Sequence, residues 1–321
     1  MLVGCLLLVG CGAPNGGATR DGESGRSESA EPSTGGDSPD PAGATPPTPA
    51  IVALPGSRVR LALAEGAVRA RHGLHWRWPD TGAELRVSDA TVQPGEERAV
   101  IEAGIAAFGD AAETRLLVVD GRDAVEVVVR TAAQVTRAVS VFDEGAVARV
   151  LVRHAPGEAL FAERVFDSVR FDAASTLDPL RAMDADIAIA GLVLVPASTE
   201  QLFFREEPRA TAFPSAGVSV DLLWVGFPEG PPDNDRARGQ LLGSRFAGLT
   251  LSGTQWGPLE QGFELVSTLP PTNTEPEIAL YGAYIEGPAG VWLLRASVDA
   301  ARAPEWGPRF RTLAARLSEV P

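Results

Sequence analysis

Two thiols are the most reactive groups in this 321-residue chain, and both lie near its start. Cys5 and Cys11 each follow the triplet Leu-Val-Gly in the apolar stretch LVGCLLLVGCG of residues 2–12. A thiol can carry a lipid, close a disulfide or ligate a metal ion. A disulfide between these two cysteines would not constrain the folded part of the chain, and no cysteine follows them. We therefore predict no disulfide and no cysteine-ligated metal in the folded part of the chain.

The sequence around Cys11 indicates lipid attachment. Residues 1–10 form an apolar run that is too short to cross a membrane. The tetrapeptide LVGC that ends at Cys11 resembles the lipobox of bacterial lipoproteins. This resemblance implies cleavage before Cys11, a diacylglyceryl chain on its sulfur, and an anchor in a membrane outside the cytoplasm. Cys5 ends the same tetrapeptide with almost no apolar run ahead of it, so we choose Cys11. The alternative is a pair of cysteines without a function at a ragged terminus.

The histidines are the next candidates, because imidazoles can ligate zinc. His72 and His75 lie together in the segment HGLHW. If residues 74–78 form a strand, His75 shares one face with Arg77 and the apolar side chains share the other. His72 lies outside that strand, so the two imidazoles diverge, and His154 is the one histidine left. We therefore expect surface histidines and no metal site.

The segment PDNDRARG at residues 232–239 begins like a calcium-binding loop, with Asp233 and Asp235 two positions apart. Such a loop would continue with an oxygen ligand at its fifth position and a glutamate at its twelfth. This chain has Ala237 and Ser244 there. We interpret the two acids as caps of the following helix, where they interact favourably with its N-terminus.

The remaining polar residues form no catalytic pattern. All 28 basic residues are arginines, which leaves no lysine for a phosphate loop, a Schiff base or a general base. We find no G-x-S-x-G motif and no G-x-G-x-x-G after a strand. Carboxylate pairs such as Asp184/Asp186 and Glu206/Glu207 have spacings that chance supplies. We expect neither an enzyme nor a cofactor.

The net charge of −14 is spread along the whole chain. An acidic chain without a basic cluster cannot neutralise a row of phosphates, so we expect no nucleic-acid partner. A dispersed excess of acids is typical of a solvated surface.

Residues 12–50 contain no Val, Ile, Leu, Met, Phe, Tyr or Trp. Gly, Ser, Thr, Pro and acids cannot bury enough apolar area to offset the entropy lost on ordering. We predict a disordered tether with a reach of roughly 35 Å. A lipobox followed by such a linker is typical of exported lipoproteins.

Alternating apolar residues predict strands from RVRLAL (58–63) onwards. LHWRW (74–78) and AELRVS (83–88) predict a hairpin around residues 79–82. Helical spacing is predicted for residues 95–108, 157–169, 234–246 and 304–318.

Together these elements predict an α+β fold with two similar domains, each an antiparallel sheet with packed helices. The predicted order β-β-β-α-β-β-β-β-α occurs once in each domain. A signal segment (1–11) and the tether (12–50) precede both domains. We place the first domain at 51–178 and the second at 179–321, because residues 173–185 offer little strand pattern.

This order resembles the PsbP/DcrB-like family over residues 55–172 and 187–320. The carrying features are RVRLAL, the paired hairpins, and the closing helices FAERVFDSVRF and RFRTLAARLSEV. The resemblance implies an accessory or binding role, and it transfers no functional residue.

We therefore expect a non-enzymatic lipoprotein, tethered through Cys11, that serves as a binding or scaffold module of the cell envelope. Its partner would be an envelope protein or a small ligand. One alternative is a carrier of a small apolar ligand, and another is a hydrolase with its site in the groove between the domains. Of the six tryptophans we expect Trp256, close to Gly253 and Gly257, to be exposed and the others to be core.

Overall fold

The structure, a computed structural model, describes residues 50–207, 213–227, 231–287 and 290–319. Cys5, Cys11 and the predicted tether up to residue 49 lie outside the described residues, so the lipid anchor remains a prediction. No helix within the described ranges is both long and apolar enough to cross a bilayer.

The described chain forms an α+β structure in which every strand pairing is antiparallel, and this confirms the predicted fold class. The strands are β1 (Ile51–Ala53), β2 (Val59–Ala62), β3 (Val68–Arg69), β4 (His75–Trp78), β5 (Ala83–Thr91), β6 (Glu113–Val119), β7 (Arg122–Arg130), β8 (Val135–Asp143), β9 (Ala146–His154), β10 (Arg170–Phe171), β11 (Val193–Ser198), β12 (Gln201–Arg205), β13 (Ser219–Gly226), β14 (Ser252–Leu259), β15 (Gly262–Leu269), β16 (Ile278–Gly287) and β17 (Gly290–Asp299).

The helices follow the predicted spacing closely. They are α1 (Glu97–Ala106), α2 (Ala159–Ser168), α3 (Pro179–Met183), α4 (Asp235–Ser244) and α5 (Ala303–Glu319). In α5 the apolar residues at i, i+4, i+7 and i+11 are all buried, as helical periodicity requires. The short elements β1, β3, β10 and α3 are not predicted from the sequence, because two to five residues carry too little periodicity.

Fourteen of the strands form one sheet that runs through both halves of the chain. Its main path is β14-β15-β16-β17-β13-β12-β11-β5-β9-β8-β7-β6, with β4 paired to β5 and β3 paired to β4. The other three strands form a small sheet in the order β1-β2-β10. The division into two domains at 178/179 stays a prediction, since the large sheet continues across it.

Both halves use the same strand order within this sheet. The first half reads β6-β7-β8-β9-β5-β4-β3 and the second reads β14-β15-β16-β17-β13-β12-β11. The hairpins at the two ends align residue by residue, because each closes with a two-residue turn, between Val119 and Arg122 and between Leu259 and Gly262. In the first turn Asp120 and Gly121 both have positive φ, as the tight hairpin turn requires.

This alignment defines one equivalent row of side chains in each half. Since directly paired residues point to the same face, each row lies on one face of the large sheet. The first row consists of Leu116, Val125, Ser140, Arg149 and Ser88. The second row consists of Trp256, Leu265, Gly282, Arg295 and Asp221.

Helices cover both faces of the sheet. On the face that carries these rows, Ile101 of α1 packs with Val147, and Leu242 of α4 packs with Leu265. On the other face, Val165 of α2 packs with Val150, and α5 covers the core of the second half.

The two halves meet where β5 pairs with β11, at Ala90 and Ser198. Asp89 and Thr199 extend this contact, because the Thr199 amide donates to the Asp89 carbonyl (2.8 Å) and the Asp89 amide donates to Thr199 Oγ1 (2.9 Å). Across the same junction, Arg86 Nε lies 2.9 Å from Glu200 Oε1.

Candidate functional site

The strands at the two ends of the large sheet, β6 and β14, expose apolar side chains. Leu116 and Val118 of β6 are 83% and 68% exposed, and Trp256 of β14 is 53% exposed. The predicted exposure of Trp256 is thereby confirmed, and the other five tryptophans are buried as predicted. Exposed apolar side chains on an edge strand are typical of interaction surfaces.

The two exposed edges are equivalent in the internal repeat. Leu116 and Trp256 each begin their row of side chains, opposite Val125 and Leu265. Leu116 lies in the open because α1 packs against β8 and β9, two strands further into the sheet. The same position of the fold is therefore apolar and exposed in both halves.

At the edge of the second half, the start of α4 and the β14–β15 hairpin enclose an open groove of about 1200 Å³. Its aromatic side begins with Trp256, whose ring centroid lies 5.5 Å from that of Phe263. Phe263 in turn stacks on Tyr284 at 5.0 Å with nearly parallel rings. Phe263 and Tyr284 thus support Trp256 from the inner side, and the Trp256 ring lines the groove.

The groove combines this aromatic platform with charged side chains. Arg238 is held in place, since its Nε donates to the Pro232 carbonyl (2.6 Å) and its Nη1 lies 3.1 Å from Glu286 Oε1. Burial, with a further contribution from Glu286, raises the pKa of Tyr284 to about 12, so its hydroxyl is neutral at physiological pH. The other charged lining residues are Asp235, Arg236 and Glu260.

The groove brings together two segments that the sequence analysis treats separately, the start of α4 and the strand of Trp256. It lies at the outer edge of the second half and not at the junction of the halves, where the alternative hydrolase hypothesis places a site. Its lining contains acids and Ser318 but no histidine. This arrangement supports binding through stacking and ion pairing.

The expected helix caps are wrong in detail. The N-cap of α4 is Asn234, whose side-chain oxygen accepts from the Ala237 amide at 2.8 Å. Asp233 and Asp235 are exposed, and Asp235 lies in the first turn of the helix. An amide accepts this bond as well as a carboxylate does, and Asn234 is the residue with extended backbone at the cap.

The expectation of surface histidines is also wrong. His72 is 3% exposed, because Trp224 and Trp292 of the second half cover it with ring centroids at 4.6 and 5.0 Å. Its Nδ1 donates to the Met183 carbonyl at 2.9 Å. His154 is buried too, with Nδ1 2.7 Å from the carbonyl of Ala155.

His75 is half-buried on the opposite side of its strand from Trp76 and Trp78, which confirms the predicted alternation of β4. Burial and the cations Arg86, Arg77 and Arg153 lower its pKa to about 4. Among the described residues, no group of three or more His, Cys, Asp or Glu side chains is arranged to hold a metal ion.

The paired carboxylates lie in separate structural settings. Asp184 ends α3 with positive φ, and Glu206 binds Arg302 through two bonds of 2.6 and 3.1 Å. Glu207 lies 3.2 Å from Arg205.

Lowering the pH from 7 to 4 is expected to destabilise the protein. Burial lowers the pKa of His72, and burial with neighbouring arginines lowers that of His75, whereas both have a pKa near 6.5 when unfolded. The unfolded chain therefore takes up protons first. The free energy of unfolding should fall by up to about 1.4 kcal/mol per pH unit per histidine below pH 6.5.

Urea denaturation between pH 7.5 and 4 measures this slope, and His75→Gln provides the comparison. We expect the variant to have the shallower pH dependence. An equal slope in both proteins would show that His75 does not contribute.

No protein-family model matches the chain, and no curated protein matches its sequence. Five chains of known structure align with it, among them the three that follow. One is the Tle4–Tli4 complex, at 12% identity and TM-score 0.25, over 76% of this chain and 85% of that chain. The other two of these are the T6SS immunity protein TplEi of Pseudomonas aeruginosa, apo (13%, TM-score 0.25, 77% and 86%) and with an "L" peptide (12%, TM-score 0.24, 76% and 86%). TM-scores this low do not establish a shared fold.

Proposed function

We propose that the protein is a non-enzymatic binding and scaffold module of the cell envelope, anchored outside the cytoplasm by a lipid on Cys11. The repeated PsbP/DcrB-like pattern agrees with this role. Its partner is an envelope protein that presents an extended segment to the exposed edge strands β6 and β14.

The equivalence of the two edges carries the proposal. Leu116 and Trp256 occupy the same row position, and both are large, apolar and solvent-exposed. A free strand edge offers backbone N–H and C=O groups to an added strand, and the side chains beside it supply affinity and specificity. Core packing does not explain the apolar residue at either edge, because both Leu116 and Trp256 are mostly exposed.

The separation of the two edges favours a scaffold role. Twelve strands lie on the path from β14 to β6. At about 4.8 Å per strand spacing, the edges lie roughly 50 Å apart along the sheet. A single extended segment cannot cover both edges at once without crossing the whole sheet. The protein can therefore hold two segments at a fixed separation.

The anchor is tested with Cys11→Ser, for which we expect loss of the lipid and release of the protein from the membrane fraction. A hydroxyl cannot replace the sulfur that takes up the lipid. Mass spectrometry of the N-terminal peptide and cell fractionation measure both effects. Cys5→Ser is the matched control and should leave the protein lipidated and membrane-bound. If Cys5→Ser alone released the protein from the membrane, the lipid would be attached to Cys5.

The edge contact is tested by photo-crosslinking in intact cells from positions 116 and 256. Leu160 of α2 is 68% exposed, and its helix packs on β9, three strands in from β6, so it serves as the control position. We expect an envelope protein crosslinked from both edges and not from position 160. Leu116→Asp should reduce the crosslink from position 118 at least tenfold, while Leu160→Asp should not change it. Equal crosslinking from all positions would overturn the proposal.

A further inference from the structure

Arg149 of β9 is a buried cation, with 8% of its surface exposed. It lies beneath α1, and its Nε donates to the Ser140 hydroxyl at 3.0 Å. Within the described ranges, no carboxylate lies at ion-pairing distance from this guanidinium. Buried charges in proteins are normally paired, so the missing counter-charge needs an explanation.

The second half shows what occupies this place in the repeat. Arg295 is the equivalent of Arg149, and its Nε donates to Asp221 Oδ2 at 2.6 Å. Asp221 stands directly opposite Arg295 in the register. In the first half the residue directly opposite Arg149 is Ser88, which is also buried. The row of the first half therefore contains the equivalent arginine, but a serine stands where the second half has a carboxylate.

Neighbouring groups do not replace that carboxylate. Glu200 is the acid whose charge acts on Arg149, but its Oε1 is bound to Arg86 at 2.9 Å. Burial lowers the pKa of Arg149, and Glu200 only partly opposes this shift. The helix above has Gly104 at the point of contact, where an added Cβ would fall 1.9 Å from Nη2. The helix backbone therefore closes over the guanidinium, and the Ser140 hydroxyl accepts from it.

We propose that Arg149 and Ser88 form a site for a small anion of the halide class. The anion occupies the position that the carboxylate of Asp221 takes in the second half. An aspartate side chain exceeds a serine by two heavy atoms, a difference that matches the size of a monatomic anion and not that of phosphate. The guanidinium supplies the charge and free N–H donors, and the hydroxyls of Ser88 and Ser140 supply polar contacts.

The test uses sodium chloride against sodium gluconate at equal ionic strength, with the thermal midpoint as the readout. Gluconate is too large for the site and controls for screening. We expect chloride to raise the midpoint of the wild-type protein by about 3 °C in a saturable way. Ser88→Asp supplies an internal carboxylate and should abolish the difference between the two salts.

Arg149→Met is the second variant, because it removes the charge and keeps an unbranched side chain of similar length. It should fold and should also show no difference between the salts. The proposal is overturned if the wild-type midpoint is the same in both salts, or if Arg149→Met keeps the full chloride effect.

Discussion

Replacing Asp221 with alanine is expected to lower the free energy of unfolding by about 3–5 kcal/mol. Asp221 is fully buried, and its Oδ2 accepts from both Arg245 Nη2 and Arg295 Nε at 2.6 Å. The substitution removes the carboxylate that these two guanidinium groups share, while the guanidinium of Arg245 remains buried. The loss of a carboxylate shared by two hydrogen-bonded guanidinium groups in the core accounts for a decrease of this size. Urea denaturation followed by circular dichroism measures it.

Glu113→Ala is the control for this prediction. The ion pair of Glu113 with Arg130 has a similar separation, 2.6 Å, but both side chains are largely exposed. Its loss should lower the free energy of unfolding by less than about 1 kcal/mol, because solvent screens the pair. Equal losses in the two variants would contradict the view that burial determines the contribution of Asp221.

Trp292→Ala is expected to destabilise the protein by about 3–5 kcal/mol as well. Trp292 is 1% exposed and packs against Trp224 at 5.2 Å in the core of the second half. It also contacts His72 of the first half, so the cavity would open at the junction of the halves. The loss should appear both in the denaturation midpoint and in a higher accessibility of His72 to chemical modification.

Trp256→Ala removes the same side chain from a largely exposed site. We expect a change in the free energy of unfolding below about 1 kcal/mol, since little buried area is lost. Acrylamide quenching gives a second measure, because Trp256 is the one exposed tryptophan of the six, all of which are described. Its replacement should remove most of the quenchable fluorescence. A large loss of stability in this variant would indicate that Trp256 is a packing residue and would weaken its role in binding.

Local patterns were sufficient to predict the elements with strong periodicity. The hairpin of β4 and β5 forms around residues 79–82, and the alternation of β4 places Trp76 and Trp78 in the core. The apolar spacing of α5 predicts its buried face, and Trp256 is exposed as its surrounding glycines indicate. These features depend on residues close in sequence, so one sequence contains the information.

Long-range contacts account for what the sequence did not predict. His72 is buried by Trp224 and Trp292, which lie more than 150 positions further along the chain. Ser88 and Arg149 meet only through the register of β5 and β9. Leu116 reads as an ordinary apolar strand residue, and only the placement of α1 over β8 and β9 leaves it exposed. The lack of a carboxylate opposite Arg149 becomes visible once the two halves are aligned strand by strand.

The small sheet has a mechanical consequence. The first described strand, β1, pairs over three residues with β2 and is no part of the fourteen-stranded sheet. A pull on the chain before Ile51 acts on the β1–β2 ladder at the end opposite its turn, where Ile51 pairs with Ala62. The few hydrogen bonds of this ladder therefore break one after another. Under the proposed anchor at Cys11, tension from the membrane would thus separate β1 first, and the fourteen-stranded sheet with both of its rims would stay intact.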